Sequence, residues 1–470
     1  MNKQDKSHSK DFKSLNEWLC YLETIHNTEI DLGLSRISQV AKRLNINFSF
    51  ARVITVAGTN GKGTTCAFLE NALLDEKRDD ESQQCLKVAV YSSPHIDRFN
   101  ERLRINKCDI DDHSLIKAFK EIEIARADIS LSYYEFTTLA AFLVLMDIKP
   151  DVIILEVGLG GRLDATNIID ADVAVITSVD LDHQAFLGND RETIGFEKAG
   201  IMRKNQHIII GDPSVPNSVL NHAIKVNETF LATEKCHALS KIKVRNRDFF
   251  SSELATSNNT DEEGWQWHYS ETTENGDSSE FYLDKLHQTH IPQDNVITAL
   301  MVLKQLKVSL TSSKVNQLIE KTKVAGRTEL FRVSEVENNS IKLQCDVMLD
   351  VGHNPHAGRY LAATLEQYKV RYQYNKIIAV VAMLADKDIA NTLSPFKDII
   401  DVWHIAPLNV PRAATSEQLS NVVLPLTKSI NCFDNITQAF KMANLKAEST
   451  DLILVFGSFY TVAEIRQLLI

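Results

Sequence analysis

The sequence predicts an α/β protein, with an N-terminal domain around a parallel sheet and a smaller Rossmann-like α/β domain at the C-terminus. The first observation is that apolar runs such as DVIILEV, at residues 151–157, alternate with helical patterns. Uninterrupted apolar runs are typical of strands buried on both faces, and their alternation with helices is typical of parallel sheets. The second observation is a β-branched run that stops at a glycine-rich turn, VITVAGTNGKGTT, at residues 53–65.

The composition is that of a globular protein, and it argues against several classes of function. A chain of 470 residues with 44% hydrophobic residues is long enough for two or three domains. The net charge of -11 argues against sequence-independent binding to nucleic acid. Seven scattered cysteines without a C-x-x-C pair favour reduced thiols over disulfides or a zinc site. Without a secretory signal or a membrane-spanning run, we expect a cytoplasmic protein with no membrane or nucleic-acid partner.

The predicted elements of the N-terminal domain begin with a helix. Ser14 and Glu17 form a capping box ahead of an apolar stripe, which predicts a helix from residue 15. The glycine-rich turn then joins a strand to a helix that ends near residue 75, where a charged loop begins. We further predict strands at residues 86–93, 151–157, 172–178 and 207–211, and helices at residues 112–127, 135–146, 295–306 and 313–323.

The remaining predicted elements are a peripheral hairpin and a second α/β unit. The segments WQWHYS and EFYL predict antiparallel strands around a turn at Asn275 and Gly276, after a polar segment at residues 251–264. The second unit has no phosphate loop of its own. Its predicted strands lie at residues 329–336, 347–351, 376–384, 401–407 and 451–457, with a helix at residues 356–367. We therefore predict an N-terminal domain at residues 1–324, a linker at 325–329 and a Rossmann-like C-terminal domain at 330–470.

The glycine-rich turn indicates a P-loop ATPase-type nucleotide site. Glycines let backbone N–H groups surround phosphate oxygens, and the N-terminus of the following helix adds its positive dipole. Lys62 would reach a terminal phosphate, and the hydroxyl of Thr64 or Thr65 would reach Mg²⁺. The loop departs from the usual pattern, because Val56 replaces its first glycine and Gly63 separates Lys62 from Thr64. The simpler alternative is a glycine-rich turn with a surface lysine.

Polar residues follow three other predicted strands, where open α/β sheets bind ligands. Glu156 is a candidate Mg²⁺ ligand, and the alternative is a carboxylate that caps a turn. Asp180, Asp182 and His183 follow the next strand, and His183 is a second candidate ligand, although a single histidine is often structural. Ser93 ends a third strand, where it would contribute a hydroxyl or simply form a turn before proline.

Two further features are open to both functional and structural interpretations. Lys198 lies in a predicted helix, where the simplest role is an ion pair with a carboxylate. Tyr133, Tyr134 and Glu135 would form a wall for a flat heterocycle or an ordinary edge of the core.

Nine motifs form an ordered series along nearly the whole chain. In chain order they are IDLGLSR, GTNGKGTT, SSPH, EVGLGGRLDATN, LDH, EKAGI, AGR, DVGHNPH and FGSF. This series resembles the folylpolyglutamate/dihydrofolate synthase family of the Mur-ligase superfamily, and it looks close to the bifunctional bacterial form. Gly352 stands where alanine is common in the family, and Ala325 where proline is common.

The resemblance implies a set of site residues. Lys62, Lys198 and His353 would act in catalysis, and Lys198 would be carbamylated beside a second Mg²⁺. The first Mg²⁺ would be bound by Ser93, Glu156 and His183. ATP would contact Thr59, Asn60, Gly61, Lys62, Gly63, Thr64, Asn295, Arg327 and Asp350. The pterin pocket would comprise Asp31, Leu32, Gly33, Leu34, Ser132, Tyr133, Tyr134, Glu135, Leu163, Asp164 and Ala165.

The activity that the resemblance implies is ATP-dependent addition of L-glutamate to dihydropteroate and to the γ-carboxylate of tetrahydrofolate polyglutamates, through an acyl phosphate. We expect a monomer whose small-molecule partners are the pteroate or reduced folate, L-glutamate and ATP. One alternative is a UDP-MurNAc-peptide ligase, but Gly63 directly follows Lys62 and too few residues precede Val53 for a sugar-nucleotide domain. The other alternative is a P-loop ATPase switch that hydrolyses ATP without an acceptor.

Overall fold

The chain divides into two compact units in the computed structural model. The described residues are 12–28, 30–78, 83–226, 264–272, 278–335, 341–427 and 429–470. The first unit comprises Met1–His95, Phe99–Val179 and Glu192–Lys321, and the second comprises Ile96–Arg98, Asp180–Arg191 and Thr322–Ile470. Two short segments from the N-terminal part of the chain therefore fold with the second unit, which the predicted division at residues 324–330 did not include.

A mostly parallel sheet forms the centre of the first unit. The strands are β1 (Arg52–Ala57), β2 (Val88–Tyr91), β3 (Leu103–Ile105), β4 (Cys108–Asp109), β5 (Val152–Glu156), β6 (Val173–Ile176) and β7 (His207–Ile210). Among the described residues their order is β4-β3-β2-β5-β1-β6-β7, with β3 and β4 antiparallel to their neighbours. The five predicted strands are confirmed. The short strands β3 and β4 were not predicted, because two or three residues are too few to show a period.

Among the described residues before residue 322, the α-helices are α1 (Leu15–Leu22), α2 (Ser35–Arg43), α3 (Lys62–Leu73), α4 (Asp112–Arg126), α5 (Tyr133–Ile148), α6 (Gln184–Leu187), α7 (Arg191–Ala199), α8 (Asn217–Val226), α9 (Gln293–Gln305) and α10 (Ser312–Lys321). The short helix α6 lies in the segment that folds with the second unit. Ser14 and Glu17 form the predicted capping box at α1. Helix α2 was not predicted, although its buried residues Ile37, Val40 and Ala41 follow a helical period.

Both faces of the first sheet are covered, as the apolar strands predict. Trp18, Phe119 and Phe142 belong to the cluster on one face, and Phe68 and Trp267 to the cluster on the other. Each of these five side chains is fully buried, and burial of such a side chain contributes about 2–3 kcal/mol. The sheet is therefore a rigid support for the loops that follow its strands.

The predicted hairpin is confirmed as the antiparallel pair β8 (Gly264–Thr272) and β9 (Ser278–His287). Trp265 and Trp267 of β8 lie in the core of the first unit. The predicted turn at Asn275 and Gly276 and the polar residues 251–263 lie outside the described residues. The hairpin is thus anchored to the first unit by its tryptophans.

The second unit has its own sheet and core. Its strands are β10 (Glu329–Phe331), β11 (Asp346–Asp350), β12 (Ile377–Val381), β13 (Val402–Ile405), β14 (Ile430–Cys432) and β15 (Leu452–Phe456). Within the described residues their order is β10-β11-β15-β12-β13-β14, and only β10 is antiparallel to its neighbour. The helices are α11 (Pro355–Arg371), α12 (Ile389–Leu393), α13 (Ser416–Val423), α14 (Ile436–Lys446) and α15 (Phe459–Leu469). Among all described helices, none is both long and apolar enough to span a bilayer.

Candidate active site

The loop between β1 and α3, which we call the phosphate loop (residues 58–61), depends on two glycines. Gly61 has a φ of +88°, and a Cβ there would lie 2.3 Å from Oδ1 of Asn295. At Gly58, a Cβ would lie 1.9 Å from Oγ1 of Thr177. A side chain at either position would therefore be strained, and both glycines keep the loop in close contact with the end of β6 and with α9. The amide nitrogen Nδ2 of Asn295 is buried with no hydrogen-bond partner among the described residues, as expected of a group that binds a ligand.

Hydrogen bonds from the end of β6 hold the phosphate loop in place. The N–H of Thr59 donates to the carbonyl of Ser178 at 2.8 Å, and the N–H of Asn60 donates to Oγ of Ser178 at 3.0 Å. Nζ of Lys62 donates to the carbonyl of Gly58 at 2.9 Å. The Lys62 ammonium group therefore lies across the loop, where a P-loop lysine meets the terminal phosphates.

Glu156 lies beside the first turn of α3. Strands β1 and β5 are paired with Val56 opposite Glu156, so both strands end at the same edge of the sheet. Both carboxylate oxygens of Glu156 are 3.8 Å from the position that a Cβ on Gly63 would occupy. The side chain is buried, and the positive end of the α3 dipole offsets part of the cost of burying its charge.

The oxygen donors at this edge suit Mg²⁺. Glu156 supplies a carboxylate, and the buried Thr64 supplies a hydroxyl in the first turn of α3. Ser93 follows β2, which pairs with β5 and so ends at the same edge. His183 belongs to the second unit, and its participation with Glu156 and Ser93 in one metal site stays a prediction.

The segment after β5 is organised by Asp164. Oδ2 accepts the N–H groups of Gly158 and Leu159 at 3.0 and 2.9 Å, and Oδ1 accepts the N–H and hydroxyl of Thr166 at 2.9 and 2.7 Å. Burial raises the pKa of Asp164, although these hydrogen bonds oppose the rise. A Cβ on Gly158 would lie 2.7 Å from Oη of Tyr134. The two predicted pocket residues Tyr134 and Asp164 therefore both lie against the loop after β5, at Gly158.

Arg36 joins the other two predicted pocket segments. Its Nη1 is 2.8 Å from Oδ2 of Asp31, and its Nη2 is 3.2 Å from Oε1 of the buried Glu135. Glu135 also forms a capping box with Ser132 at the start of α5. Sequence reasoning did not single out Arg36, although it ends the IDLGLSR motif. The Asp31–Leu34 and Ser132–Glu135 segments are thus held together by one guanidinium group.

Two of the predicted site residues, Tyr133 and Lys198, lie in largely buried positions. Burial raises the pKa of Tyr133 to about 12, although the nearby Arg102 opposes the rise. Lys198 lies near the end of α7 and is 3% exposed. A Cβ on Gly161 would lie 2.9 Å from the carbonyl oxygen of Lys198, so the loop after β5 lies directly on this helix. The predicted ion pair and carbamylation of Lys198 stay predictions.

In the second unit, the Asp350 carboxylate joins the backbone just before β10 to the end of β11. It accepts the N–H groups of Thr328 at 2.8 Å and of Gly352 at 2.7 Å. Burial raises the pKa of Asp350, and the positive charge of Arg327 opposes the rise. A Cβ on Gly352 would lie 2.8 Å from Oδ1 of Asp350, so this chain's glycine leaves room for that contact.

Phe459 contacts two further predicted residues of the second unit. The guanidinium carbon of Arg327 lies 5.5 Å from the centroid of its ring, within the range of a cation–π contact. The ring of His353 lies 6.0 Å from the same ring, and Nδ1 of His353 is 2.8 Å from the carbonyl of Val351. Phe459 itself was not predicted as a site residue, although it ends the FGSF motif.

A group of polar side chains that we call the Asp182 cluster comprises Asp182, His353, Asn354 and Lys387, all in the second unit. Nζ of Lys387 and Nδ2 of Asn354 each donate to the Asp182 carboxylate at 2.9 Å. Burial alone would raise the pKa of Asp182, but His353, His183 and Lys387 together hold it well below its usual range. Sequence reasoning missed Lys387 and Asn354; the position of Lys387 shortly after β12 was the available signal.

Comparisons with known proteins agree with this architecture. Residues 56–271 match the Mur ligase middle domain family, and residues 326–459 match the Mur ligase, glutamate ligase domain family. The fold and the two matched domains define a Mur-type ligase.

More specific relatives cover almost the entire chain. The dihydrofolate synthase/folylpolyglutamate synthase of Escherichia coli K12 is 40% identical over 97% of this chain and 95% of its own length. The structure of E. coli FolC in complex with DHPP and ADP has a TM-score of 0.77 at 37% identity, with 97% of each chain covered. A bifunctional folylpolyglutamate synthase/dihydrofolate synthase with Mn, AMPPNP and L-glutamate bound has a TM-score of 0.76 at 38% identity, with 96% of this chain and 97% of that chain covered.

This chain belongs to the dihydrofolate synthase/folylpolyglutamate synthase family. The predicted family, the fold class and the class of ATP-dependent ligase are thereby confirmed. The sugar-nucleotide branch of the superfamily and the ATPase switch were the alternatives, and the chain's relatives favour neither.

Proposed function

We propose that this protein uses ATP to attach L-glutamate to dihydropteroate and to the γ-carboxylate of reduced folates. The observation that carries the proposal is the edge of the first sheet, where Lys62 lies across the phosphate loop and Glu156 lies beside the first turn of α3. The E. coli relative is named for both activities, and the related structures hold DHPP, ADP, an ATP analogue and L-glutamate. These are the reactants that the proposal requires.

The first chemical step transfers the γ-phosphoryl group of ATP to the substrate carboxylate, which gives an acyl phosphate and ADP. The N–H groups at the start of α3 and the Lys62 ammonium group stabilise negative charge on the phosphates during this transfer. Glu156, Ser93 and His183 would hold Mg²⁺. When bound, Mg²⁺ neutralises phosphate charge as a Lewis acid.

The second step is attack by the amine of L-glutamate on the activated carbonyl carbon. A tetrahedral intermediate forms, inorganic phosphate leaves, and the amine loses its proton as the amide forms. Arg327 and Asp350 are the proposed ATP contacts of the second unit, and His353 would stabilise phosphate or glutamate charge. Phe459 supports this assignment, because its ring lies against both Arg327 and His353.

The pterin ring is proposed to bind where Arg36 joins its two segments. The Asp31 and Glu135 carboxylates are charge-compensated by Arg36, so the backbone of Leu32 to Leu34 and the ring of Tyr133 are available to shape a pocket. The buried ring of Tyr91 stacks on Tyr134, with centroids 6.4 Å apart, and so supports Tyr134 as a flat wall of the proposed pocket. Leu163 and Ala165 are further proposed lining residues.

A second Mg²⁺, a carbamate on Lys198 and a monomeric state also belong to the proposal. Burial of Lys198 beside the loop after β5 supports a role at the site rather than on the surface. Intact-protein mass spectrometry in bicarbonate, with Lys198→Ala as the control, tests for the carbamate. Light scattering tests for the monomer.

The decisive experiment measures ADP release by the purified protein across a panel of acceptors. We expect negligible ATP turnover until L-glutamate and either dihydropteroate or tetrahydrofolate are both present. Rapid hydrolysis without them would reject the ligase in favour of an ATPase switch. Turnover with a UDP-MurNAc-peptide, but not with a pteroate or folate, would favour the sugar-nucleotide alternative.

A further inference from the structure

His183 has an unusual backbone conformation. Its φ of +50° and ψ of +39° are in the left-handed region, which residues with a Cβ rarely adopt. Such a conformation persists only where surrounding contacts fix it, and it occurs preferentially at functional sites. The contacts that fix His183 therefore bear on what its imidazole does.

The preceding residue supplies those contacts. Oδ1 of Asp182 accepts the backbone N–H of His183 at 2.8 Å and Nζ of Lys387 at 2.9 Å. Oδ2 accepts Nδ2 of Asn354 at 2.9 Å and lies 3.6 Å from Nε2 of His353. The side chains of Asp182 and Lys387 are each only 10% exposed. The turn at His183 is thus attached to the second unit through a buried ion pair.

A different interpretation of the same residues is a metal site. Ligand atoms of Asp182, His183 and His353 all lie within 4.8 Å of one another. However, the Lys387 ammonium group already compensates the Asp182 charge, and it would repel a cation bound to that carboxylate. Both Asp182 oxygens also already accept hydrogen bonds. The geometry favours an anchoring role for Asp182 over a ligating role.

We propose that Asp182, with Lys387 as its counter-ion, is a positioning residue that holds His183 in the conformation in which it binds the active-site divalent ion. The inference rests on the proposed function, in which His183 is a metal ligand. Outer contacts of this kind orient a ligand and typically change metal affinity by 10- to 100-fold when they are removed.

The test is Mn²⁺ affinity, measured by electron paramagnetic resonance with saturating AMPPNP. We expect Lys387→Met, Asp182→Asn and His183→Ala each to raise the Mn²⁺ Kd about tenfold or more. The double variant Lys387→Met/His183→Ala should bind no more weakly than His183→Ala alone, because both changes remove the same ligand. Lys387→Arg keeps the charge, and it should stay within about threefold of the unaltered protein.

Lys369→Met is the matched control, since Lys369 forms a looser, half-exposed pair with Asp401 at 3.5 Å in the same unit. It should leave the Mn²⁺ Kd unchanged. Thermal unfolding of each variant separates lost affinity from lost structure. If Asp182→Asn does not fold, the comparison of Lys387→Met with Lys387→Arg tests the inference instead.

Two outcomes would overturn the inference. If His183→Ala weakens Mn²⁺ binding but Lys387→Met and Asp182→Asn do not, His183 is a ligand that needs no anchor. If His183→Ala leaves the Mn²⁺ Kd unchanged while Lys387→Met or Asp182→Asn raises it, the metal is bound by the Asp182 cluster itself. Glutamate-dependent ADP release is scored separately, so neither outcome decides the proposed function.

Discussion

The phosphate loop and the Asp182 cluster both follow parallel strands, yet they are held in place by different forces. In the phosphate loop, the positions of the atoms are set by close backbone approach at Gly58 and Gly61. In the Asp182 cluster, they are set by the Asn354 amide and the Lys387 ammonium group, which come 172 and 205 positions after Asp182 in the chain. A site held by close backbone contacts can therefore be recognised as a contiguous motif in the sequence. A site held by a polar cluster appears in the sequence only as scattered polar residues.

The largest expected effect comes from removing the two charged groups beside the phosphate loop, Lys62 and Glu156. Lys62→Ala and Glu156→Ala should each lower turnover at least about a hundredfold, because they remove groups that stabilise charge on the phosphates. Glutamate-dependent ADP release at saturating substrates measures the effect. Lys117→Ala, which breaks an exposed ion pair with Asp147, is the control and should retain normal turnover. A near-normal rate in either site variant would remove that residue from the mechanism.

Alanine substitutions at the two glycines that flank Lys62 should change the free energy of unfolding in opposite directions. Gly61→Ala should destabilise the protein by about 1–3 kcal/mol, since an alanine there is strained and meets Asn295. Gly63→Ala meets only Glu156 oxygens at 3.8 Å in an ordinary helical position, so it should stabilise by up to about 1 kcal/mol. Urea unfolding without nucleotide measures both. Equal effects would show that the phosphate loop is not held by backbone approach.

The fold was largely predictable from sequence because each long strand is an uninterrupted apolar run. The strands β1, β5 and β15 show this, since all of them are buried on both faces. Short edge strands such as β14 were missed, because three residues show no period. The assignment of residues 180–191 to the second unit also lay beyond prediction, since it depends on pairs such as Asp180 with Arg359 at 2.7 Å.

The candidate site was predictable to the extent that its residues belong to contiguous motifs. Glu156 and Lys62 stand at a strand end and a helix start, and the structure brings both to the edge of one sheet. Arg36 and Lys387 were missed because their partners are distant in sequence, and a lone arginine or lysine is usually a surface residue. Side-chain pairing of this kind becomes visible only once the fold is known.

A substitution at Arg36 tests whether the ion pairs with Asp31 and Glu135 support substrate binding in the first unit. Arg36→Met leaves the buried Glu135 without its positive partner, and it releases Asp31. We expect the KM for dihydropteroate to rise about tenfold while the KM for ATP stays unchanged, because breaking a buried charge contact costs more than about 1.4 kcal/mol. Arg43→Met lies on the same helix, where Arg43 donates to the carbonyl of Ala125, and it should change neither constant. A rise in the KM for ATP would contradict the assignment of this region to the pterin.

The smallest expected effect concerns Phe459. In the second unit its aromatic ring, rather than an ion pair, contacts the Arg327 guanidinium group. Phe459→Leu keeps an apolar side chain but removes the ring face beneath Arg327, a contact worth about 0.5–1 kcal/mol. The KM for ATP should rise about two- to fivefold with kcat nearly unchanged. Tyr460→Leu alters the neighbouring exposed aromatic residue and should have no effect. If kcat falls instead, the ring acts mainly through His353, and charge stabilisation in this unit depends on the histidine more than on the arginine.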